Sequence, residues 1–191
     1  LPKHKTGSIV KPSKYFTNRF KYFFKRFSSN ESLFNWFAEK AGGESGAFDF
    51  PNVLKDNPKT LIFLPRDMEH SSSFMRAMPE SFFRGNLVVA HESLHALVSA
   101  KRAKAVYYSD QECRYEEPVF VEIEQKIKEY APQVVIYLGE AFLPRLYLAK
   151  VSGAPCRIGF CTESCYPFLN LSLHPDKSSE AVLLSQYYGV K

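Results

Sequence analysis

The sequence lacks several features that would point to common protein classes. No apolar run approaches the ~20 residues that a membrane-spanning helix needs. There is no G-x-G-x-x-G after the first strand-like segment, no P-loop and no G-x-S-x-G, so a dinucleotide site, a Walker-type nucleotide site and a serine hydrolase have no support. The N-terminus is basic but has no apolar core of a secretory signal, which predicts a cytoplasmic location if the natural protein begins here.

Cysteine is scarce, with four residues in 191. Three of them, Cys156, Cys161 and Cys165, have a spacing that matches no common zinc or iron–sulfur arrangement. His174 could add a fourth ligand, but nothing in the spacing requires it. We interpret the cysteines as reduced thiols and predict no metal and no cofactor.

Charge is unevenly distributed along the chain. The first 30 residues contain eight lysines and arginines and no acid. Because the whole chain carries a net charge of +5, the remainder sums to −3. The basic character therefore belongs to an N-terminal tail, and the acidic remainder argues against a nucleic-acid partner.

The tail combines its cations with an aromatic stripe. The stripe residues recur at helical spacing: Phe16, Phe20, Phe23, Phe24 and Phe27. The basic residues Arg19, Lys21, Lys25 and Arg26 lie mostly on the rest of the helix surface. Such a helix could lie in the interface of an anionic membrane. The same stripe fits packing on the domain or on a partner chain. A capping box at Ser28 and Glu31 predicts a further short helix, and we assign residues 1–57 to a helical extension and loop.

From residue 58 to residue 191, strand-like and helix-like segments alternate. Short apolar runs near 61–64, 86–90, 105–108, 134–136 and 157–160 predict strands, and helices are predicted near 74–82, 93–103, 119–130, 143–151 and 178–188. This alternation predicts an α/β fold, a Rossmann-like parallel sheet with helices on both faces.

Polar residues follow several predicted strands, and ligands of such sheets bind at the carboxyl ends of the strands. The first strand is followed by Arg66, Asp67, Glu69, His70, Ser71, Ser72 and Ser73, directly before a predicted helix. A helix N-terminus favours anions, and a carboxylate could act as a general base on a sugar hydroxyl. Alternatively, the serines cap the helix and the charges are solvated. His91, Glu92 and Glu140 follow other strands at the same edge.

Several phrases resemble one family. LIFLPRD, FMRAMPESF, APQVVIYL, LYLAKVSGAPCRIGF and FLNLSLHPDKSSEAVLLSQYYGVK are similar to the N-terminal half of glycosyltransferase family 9 enzymes, which include lipopolysaccharide heptosyltransferases. The resemblance covers about residues 59–191. It implies a GT-B architecture, in which the N-terminal domain binds the acceptor and a C-terminal domain binds the nucleotide-sugar.

The chain departs from the family at two positions. The family's Gly-Asp pair, whose Asp is the expected catalytic base, corresponds to Ser71-Ser72-Ser73, and the Asp of the fourth strand is Tyr137. We therefore assign Asp67 and Glu69 as candidate catalytic carboxylates. The candidate acceptor-binding residues are Arg66, His70, Ser71, Ser72, Ser73, His91, Glu92 and Glu140.

The resemblance also implies a glycolipid or saccharide acceptor and, only through a C-terminal domain, a nucleotide-sugar. The basic, aromatic tail would in addition suit an anionic membrane surface at the inner face of the cytoplasmic membrane. The resemblance stops at Lys191, before the expected interdomain linker, so we expect that this polypeptide alone does not transfer a sugar. The alternative is a non-catalytic module of the same fold that binds a carbohydrate, a membrane or a protein.

Overall fold

The sheet has six strands, and every pairing is parallel. A computed structural model describes residues 30–43, 46–109, 118–160, 165–174 and 179–189. The strands are β1 (Thr60–Phe63), β2 (Leu87–His91), β3 (Lys104–Tyr108), β4 (Val134–Tyr137), β5 (Cys156–Gly159) and β6 (Leu171–Ser172). Their order in the sheet is β3-β2-β1-β4-β5-β6. This arrangement confirms the predicted α/β, Rossmann-like fold.

The central strands are buried on both faces. Every residue of β1, β2, β4 and β5 is buried, as expected for strands that are rich in branched apolar residues and covered by helices on each side. β1 lies at the centre, where Leu61 is in register with Leu87 of β2 and Val135 of β4. The loops that leave β1 and β4 are therefore direct neighbours.

Helices cover the sheet on both faces, as predicted. One layer contains α1 (Asn30–Ala41), α5 (Pro118–Tyr130) and α6 (Leu143–Val151), and the other contains α2 (Met68–Ala77), α3 (Glu80–Arg84), α4 (His95–Ala100) and α7 (Glu180–Tyr188). Alternate residues of β1 point to the two cores: Phe63 packs in the first, and Ile62 in the second. Leu33 and Phe37 of α1 are buried in the first core, so α1 packs against the sheet.

Two predicted helices have different bounds. The helix predicted at 74–82 is interrupted, because Met78 adopts an extended conformation before Pro79, where a helical one would clash with the proline ring. Its first part, α2, begins at Met68, six residues earlier than predicted. The helix predicted at 93–103 consists of a 3₁₀ turn (Glu92–Leu94) and α4, which ends at Ala100. The two-residue strand β6 was not predicted.

The predicted tail helix lies outside the residues that the structure describes. This holds for Phe16, Arg19, Phe20, Phe23, Phe24, Arg26 and Phe27. Ser28 of the predicted capping box also lies outside them. Within the described ranges, no helix combines the length and the apolarity that a membrane crossing requires.

Candidate ligand-binding site

A cavity of about 470 Å³ opens at the carboxyl ends of β1 and β4. The chain leaves β1 toward β2 on one side and leaves β4 toward β5 on the other, so the strand order reverses between them. Ligands of open parallel sheets bind in the crevice at such a switch point. The cavity is lined by Pro65, Arg66, Asp67, His70, Tyr108, Gly139, Glu140, Ala141, Phe142 and Arg145.

The loop after β1 is organised by Asp67 and Ser71. Asp67 caps α2, with Oδ1 accepting a hydrogen bond of 2.7 Å from the His70 backbone N–H. Ser71 is buried, and its hydroxyl donates to the Pro65 carbonyl at 2.7 Å. The expectation that Ser71–Ser73 precede and cap the helix is therefore wrong: these serines lie inside α2, because the cap is Asp67.

His70 joins this loop to the last helix. Its Nε2 lies 2.5 Å from Oε2 of Glu180, in the first turn of α7. The side chains are 35% and 18% exposed, so this contact stands at the rim of the cavity and not in the core. The pair holds α2 and α7 together beside the cavity.

The loop after β4 approaches the β1 loop very closely. Gly139 has φ +86°, and a Cβ on this residue would stand 2.7 Å from Cβ of Pro65. Only glycine fits this position without strain. Tyr137 shapes the following residues, since its hydroxyl donates to the Glu140 carbonyl at 3.1 Å and accepts from the Phe142 N–H at 3.2 Å. Tyr137 thus holds this loop in place.

Arg145 forms the floor of the cavity. It belongs to the first turn of α6 and is only 5% exposed. Its Nη2 donates to the Leu64 carbonyl at 2.8 Å and lies 3.5 Å from the Leu138 carbonyl, at the ends of β1 and β4. Its Nε is buried without a hydrogen-bond partner in the described structure.

The cavity gathers some of the predicted site residues. Arg66, Asp67, His70 and Glu140 line it, whereas Glu69, Ser71, Ser72, Ser73, His91 and Glu92 do not. Glu69 is exposed in the first turn of α2, and Glu92 is exposed in the 3₁₀ turn after β2. These two carboxylates lie at the same edge of the sheet as the cavity but do not line it.

His91 is a buried residue beside the cavity. Its Nδ1 accepts from the Ser93 N–H at 3.2 Å and lies 2.8 Å from the Ser93 hydroxyl. Its ring packs edge-on to Tyr108, with 5.5 Å between the centroids. His91 therefore supports Tyr108, which does line the cavity.

Sequence reasoning missed Tyr108, Phe142 and Arg145. Arg145 left a signal, because it stands in a helix segment, LPRLYLAKV, whose residues 144–149 are all buried. A cation within such an apolar stretch is unusual unless it meets a partner or a ligand. Tyr108 and Phe142 left no signal, since aromatic residues at strand ends and helix starts are common.

The structure describes two of the three cysteines that lie close together in the sequence. Cys156 is a buried free thiol, Cys165 is buried, and Cys161 lies outside the described residues. Burial raises the pKa of the Cys156 thiol to about 12, which outweighs the opposing effect of the Arg157 charge. In the described ranges, no three His, Cys, Asp or Glu side chains come together as metal ligands.

The fold and the cavity define a Rossmann-like α/β domain with a crevice at the switch point of its sheet, lined by both apolar and charged residues. Comparisons of this chain with protein-family models, curated proteins and solved structures found no match. Because one fold can carry many functions, the chemistry of the site itself has to indicate the function.

Proposed function

We propose that this chain is the acceptor-side domain of a GT-B glycosyltransferase of the family 9 type, and that it binds a saccharide acceptor in the switch-point cavity. The observation that carries the proposal is the lining of that cavity. Carboxylates, cations and aromatic side chains converge at the edge of the sheet where Rossmann-like domains bind ligands. The cavity volume of about 470 Å³ lies in the range typical of small-molecule sites, which suits a saccharide.

Glu140 and Phe142 supply two of the contacts that a sugar needs. Glu140 is exposed, and no described residue hydrogen-bonds to its carboxylate, which can therefore accept bonds from sugar hydroxyls. Phe142 is 46% exposed and offers an apolar surface at the start of α6. Together they combine the apolar wall and the few polar groups typical of small-molecule sites.

Asp67 is the candidate general base of the proposed transfer. Its Oδ1 caps α2, whereas Oδ2 has no hydrogen bond to a described residue. In the complete enzyme, Oδ2 would take the proton of the acceptor hydroxyl as that oxygen attacks the anomeric carbon of the donor and the nucleotide leaves. Glu69, which lies outside the cavity, is the weaker candidate.

Saccharide binding tests the proposal. We would record saturation-transfer NMR with a panel of hexoses, heptoses and core oligosaccharides, using Glu140→Gln and Glu92→Gln as matched variants. We expect Glu140→Gln to weaken binding at least tenfold, because a hydrogen bond to a charged group contributes about 1.5–3 kcal/mol. Glu92→Gln, which changes another exposed carboxylate outside the cavity, should bind normally. Equal effects of the two changes, or no binding by any saccharide, would overturn the proposal.

A second candidate function is a non-catalytic saccharide-binding module. It is favoured by the role of Asp67 as a helix cap and by the absence of the family's Gly-Asp pair. Asp67→Asn separates the two candidates, because asparagine can still cap the helix but cannot act as a base. If the wild-type natural protein transfers a sugar and Asp67→Asn does not, the chain is part of an enzyme. If the wild-type protein binds saccharide but transfers no sugar, the chain is a binding module.

Peripheral membrane attachment through residues 16–27 is part of the proposal. The aromatic stripe and the cations of this segment support it. Co-sedimentation with vesicles that contain anionic lipid should fall when residues 1–27 are deleted. Unchanged co-sedimentation would remove the membrane from the proposed function.

A further inference from the structure

Arg145 is a buried cation without a described acidic partner. Its side chain is 5% exposed, and none of the described carboxylates lies within ion-pair distance of it. Burying a charge without a counter-charge is unfavourable, so such residues are rare unless something else meets them. The position of Arg145 on the cavity floor makes the cavity the place to look for that counter-charge.

The neighbours of Arg145 orient its guanidinium without neutralising it. The Leu64 and Leu138 carbonyls are approached only by Nη2, and the rings of Phe63, Tyr108 and Tyr137 lie 5.9, 6.0 and 5.0 Å from the guanidinium carbon. A guanidinium has five N–H donors in a rigid plane. Nε is fully buried without a hydrogen-bond partner, and Nη1 has no acceptor among the described residues. The aromatic faces hold the plane in place.

The start of α6 adds to this positive field. α6 begins at Leu143 without a side-chain cap, and Arg145 lies in its first turn. The dipole and the first N–H groups of a helix favour an anion, although Pro144 has no N–H to contribute in α6. The cavity also contains the carboxylates of Asp67 and Glu140, but both residues are exposed, and Asp67 already accepts the bond that caps α2. The buried part of the lining is thus cationic, and the exposed part is mixed.

We propose that the cavity contains an oxyanion site on Arg145, which takes a phosphate or carboxylate group of the ligand. The oxyanion would supply the missing counter-charge and accept hydrogen bonds from the guanidinium and from the first turn of α6. In its saccharide part, this inference rests on the proposed function: the acceptor would be a sugar that carries such a group. The oxyanion site itself does not depend on transferase activity.

Thermal unfolding and calorimetric titration test the site with simple probes. Inorganic phosphate and acetate are titrated separately at constant pH and ionic strength into the wild type, Arg145→Met, Arg145→Lys and Arg76→Met. Arg76 is an exposed arginine on α2 outside the cavity and serves as the matched control. We expect phosphate or acetate to raise Tm of the wild type and of Arg76→Met. Arg145→Met should bind at least about tenfold more weakly, and Arg145→Lys should fall between.

The two probes identify the class of oxyanion. Stronger stabilisation by phosphate indicates a phosphorylated ligand, and stronger stabilisation by acetate indicates a carboxylate. Equal binding by the wild type and Arg145→Met, or no binding of either anion, overturns the site. If Arg145→Met does not fold, the Nε–Hε NMR signal of Arg145 in the wild type decides: a shift that saturates with the anion supports the site, and an unmoved signal overturns it.

The proposed function can fail independently. Anions that bind at Arg145 while every saccharide fails would leave the oxyanion site standing and remove the saccharide acceptor. If neutral saccharides bind through Glu140 but neither anion binds, the saccharide acceptor stands and the oxyanion site is overturned.

Discussion

Two buried arginines of this fold have opposite surroundings. Arg157, on β5, is 2% exposed, and its donors reach three carbonyls: Nε to Phe168 at 2.6 Å, Nη1 to Ala154 at 2.7 Å and Nη2 to Pro167 at 3.3 Å. Arg145 directs only Nη2 to carbonyls, and it lines a cavity. The first arginine is saturated by its own chain, whereas the second has donors to spare.

The difference separates a structural role from a binding role. Two of these carbonyls, of Pro167 and Phe168, join β5 to the residues just before β6, and Asn170 reinforces this contact by accepting from the Arg157 backbone N–H at 2.7 Å. Burial lowers the pKa of Arg157, which shows how strongly its site is desolvated. A buried cation is therefore not in itself a sign of function. The sign at Arg145 is the combination of burial, unused donors and an adjoining cavity.

Replacing Arg157 should cause the largest loss of stability. Arg157→Met leaves three carbonyls without their donor, two of them buried, so we expect the free energy of unfolding to fall by about 3–5 kcal/mol. Urea denaturation followed by circular dichroism measures this change. Arg76→Met, at an exposed position, should stay within about 0.5 kcal/mol of the wild type. A loss below about 1 kcal/mol for Arg157→Met would contradict the structural role.

Gly139→Ala should have the next largest effect, because it acts on the contact between the two cavity loops. The new Cβ would meet Pro65 at 2.7 Å, and the alanine would have to adopt φ +86°. We expect a loss of about 2–4 kcal/mol and weaker anion binding. Urea denaturation and the phosphate titration measure the two effects.

Gly153→Ala is the matched control for this change. Gly153 has φ +73°, but nothing lies within 4 Å of the position that a Cβ would take on this residue. The free energy of unfolding of Gly153→Ala should therefore fall by only the ~1–2 kcal/mol that the left-handed backbone conformation costs an alanine, and anion binding should be kept. If both changes had equal effects, crowding between the loops would not be the reason for Gly139.

Arg145→Met should cost less stability than Arg157→Met. It deprives one well-placed carbonyl of its donor, at Leu64, but it also removes a buried charge without a counter-charge. The two effects oppose each other, so we expect a change within about 1 kcal/mol. The same urea titration measures it. A loss as large as that of Arg157→Met would mean that Arg145, too, is mainly structural.

The smallest effect concerns Cys156, next to Arg157. Its pKa is raised from 9.0 to about 12 because burial outweighs the neighbouring charge. At a pH of about 8 the folded protein should therefore resist alkylation at Cys156, since the thiolate is the reactive form. Because the thiol binds its proton more tightly in the folded state, its contribution to stability is complete below pH 9 and declines as the pH rises from 9 toward 12.

Peptide mass spectrometry after brief treatment with N-ethylmaleimide measures this reactivity. The same treatment in urea provides the comparison. Modification of native Cys156 at the rate seen in urea would show that the charge of Arg157, and not burial, controls the thiol.

The sequence allowed the fold to be predicted more fully than the site. Continuous β-branched runs such as Val134–Ile136 identify buried parallel strands, and their alternation with helices predicts the sheet. The α2 boundary was misjudged because Asp67 caps that helix earlier than the apolar pattern suggests. The loop after β1 was recognised from its polar residues, but which of them face the cavity depends on backbone geometry. The apolar segment around Arg145 indicates burial, but the position of Arg145 at the cavity depends on the closeness of β1 and β4, which no local pattern encodes.

The most direct test of the account is an NMR titration of the isotopically labelled chain with a phosphorylated or carboxylated monosaccharide. If the switch-point cavity binds the ligand through Arg145, we expect saturable shifts of the Gly139, Glu140 and Phe142 amides and of the Arg145 Nε–Hε signal, with the Arg157 Nε–Hε signal unmoved. Shifts confined to surface residues away from the switch point, or equal shifts of the two arginines, would contradict it.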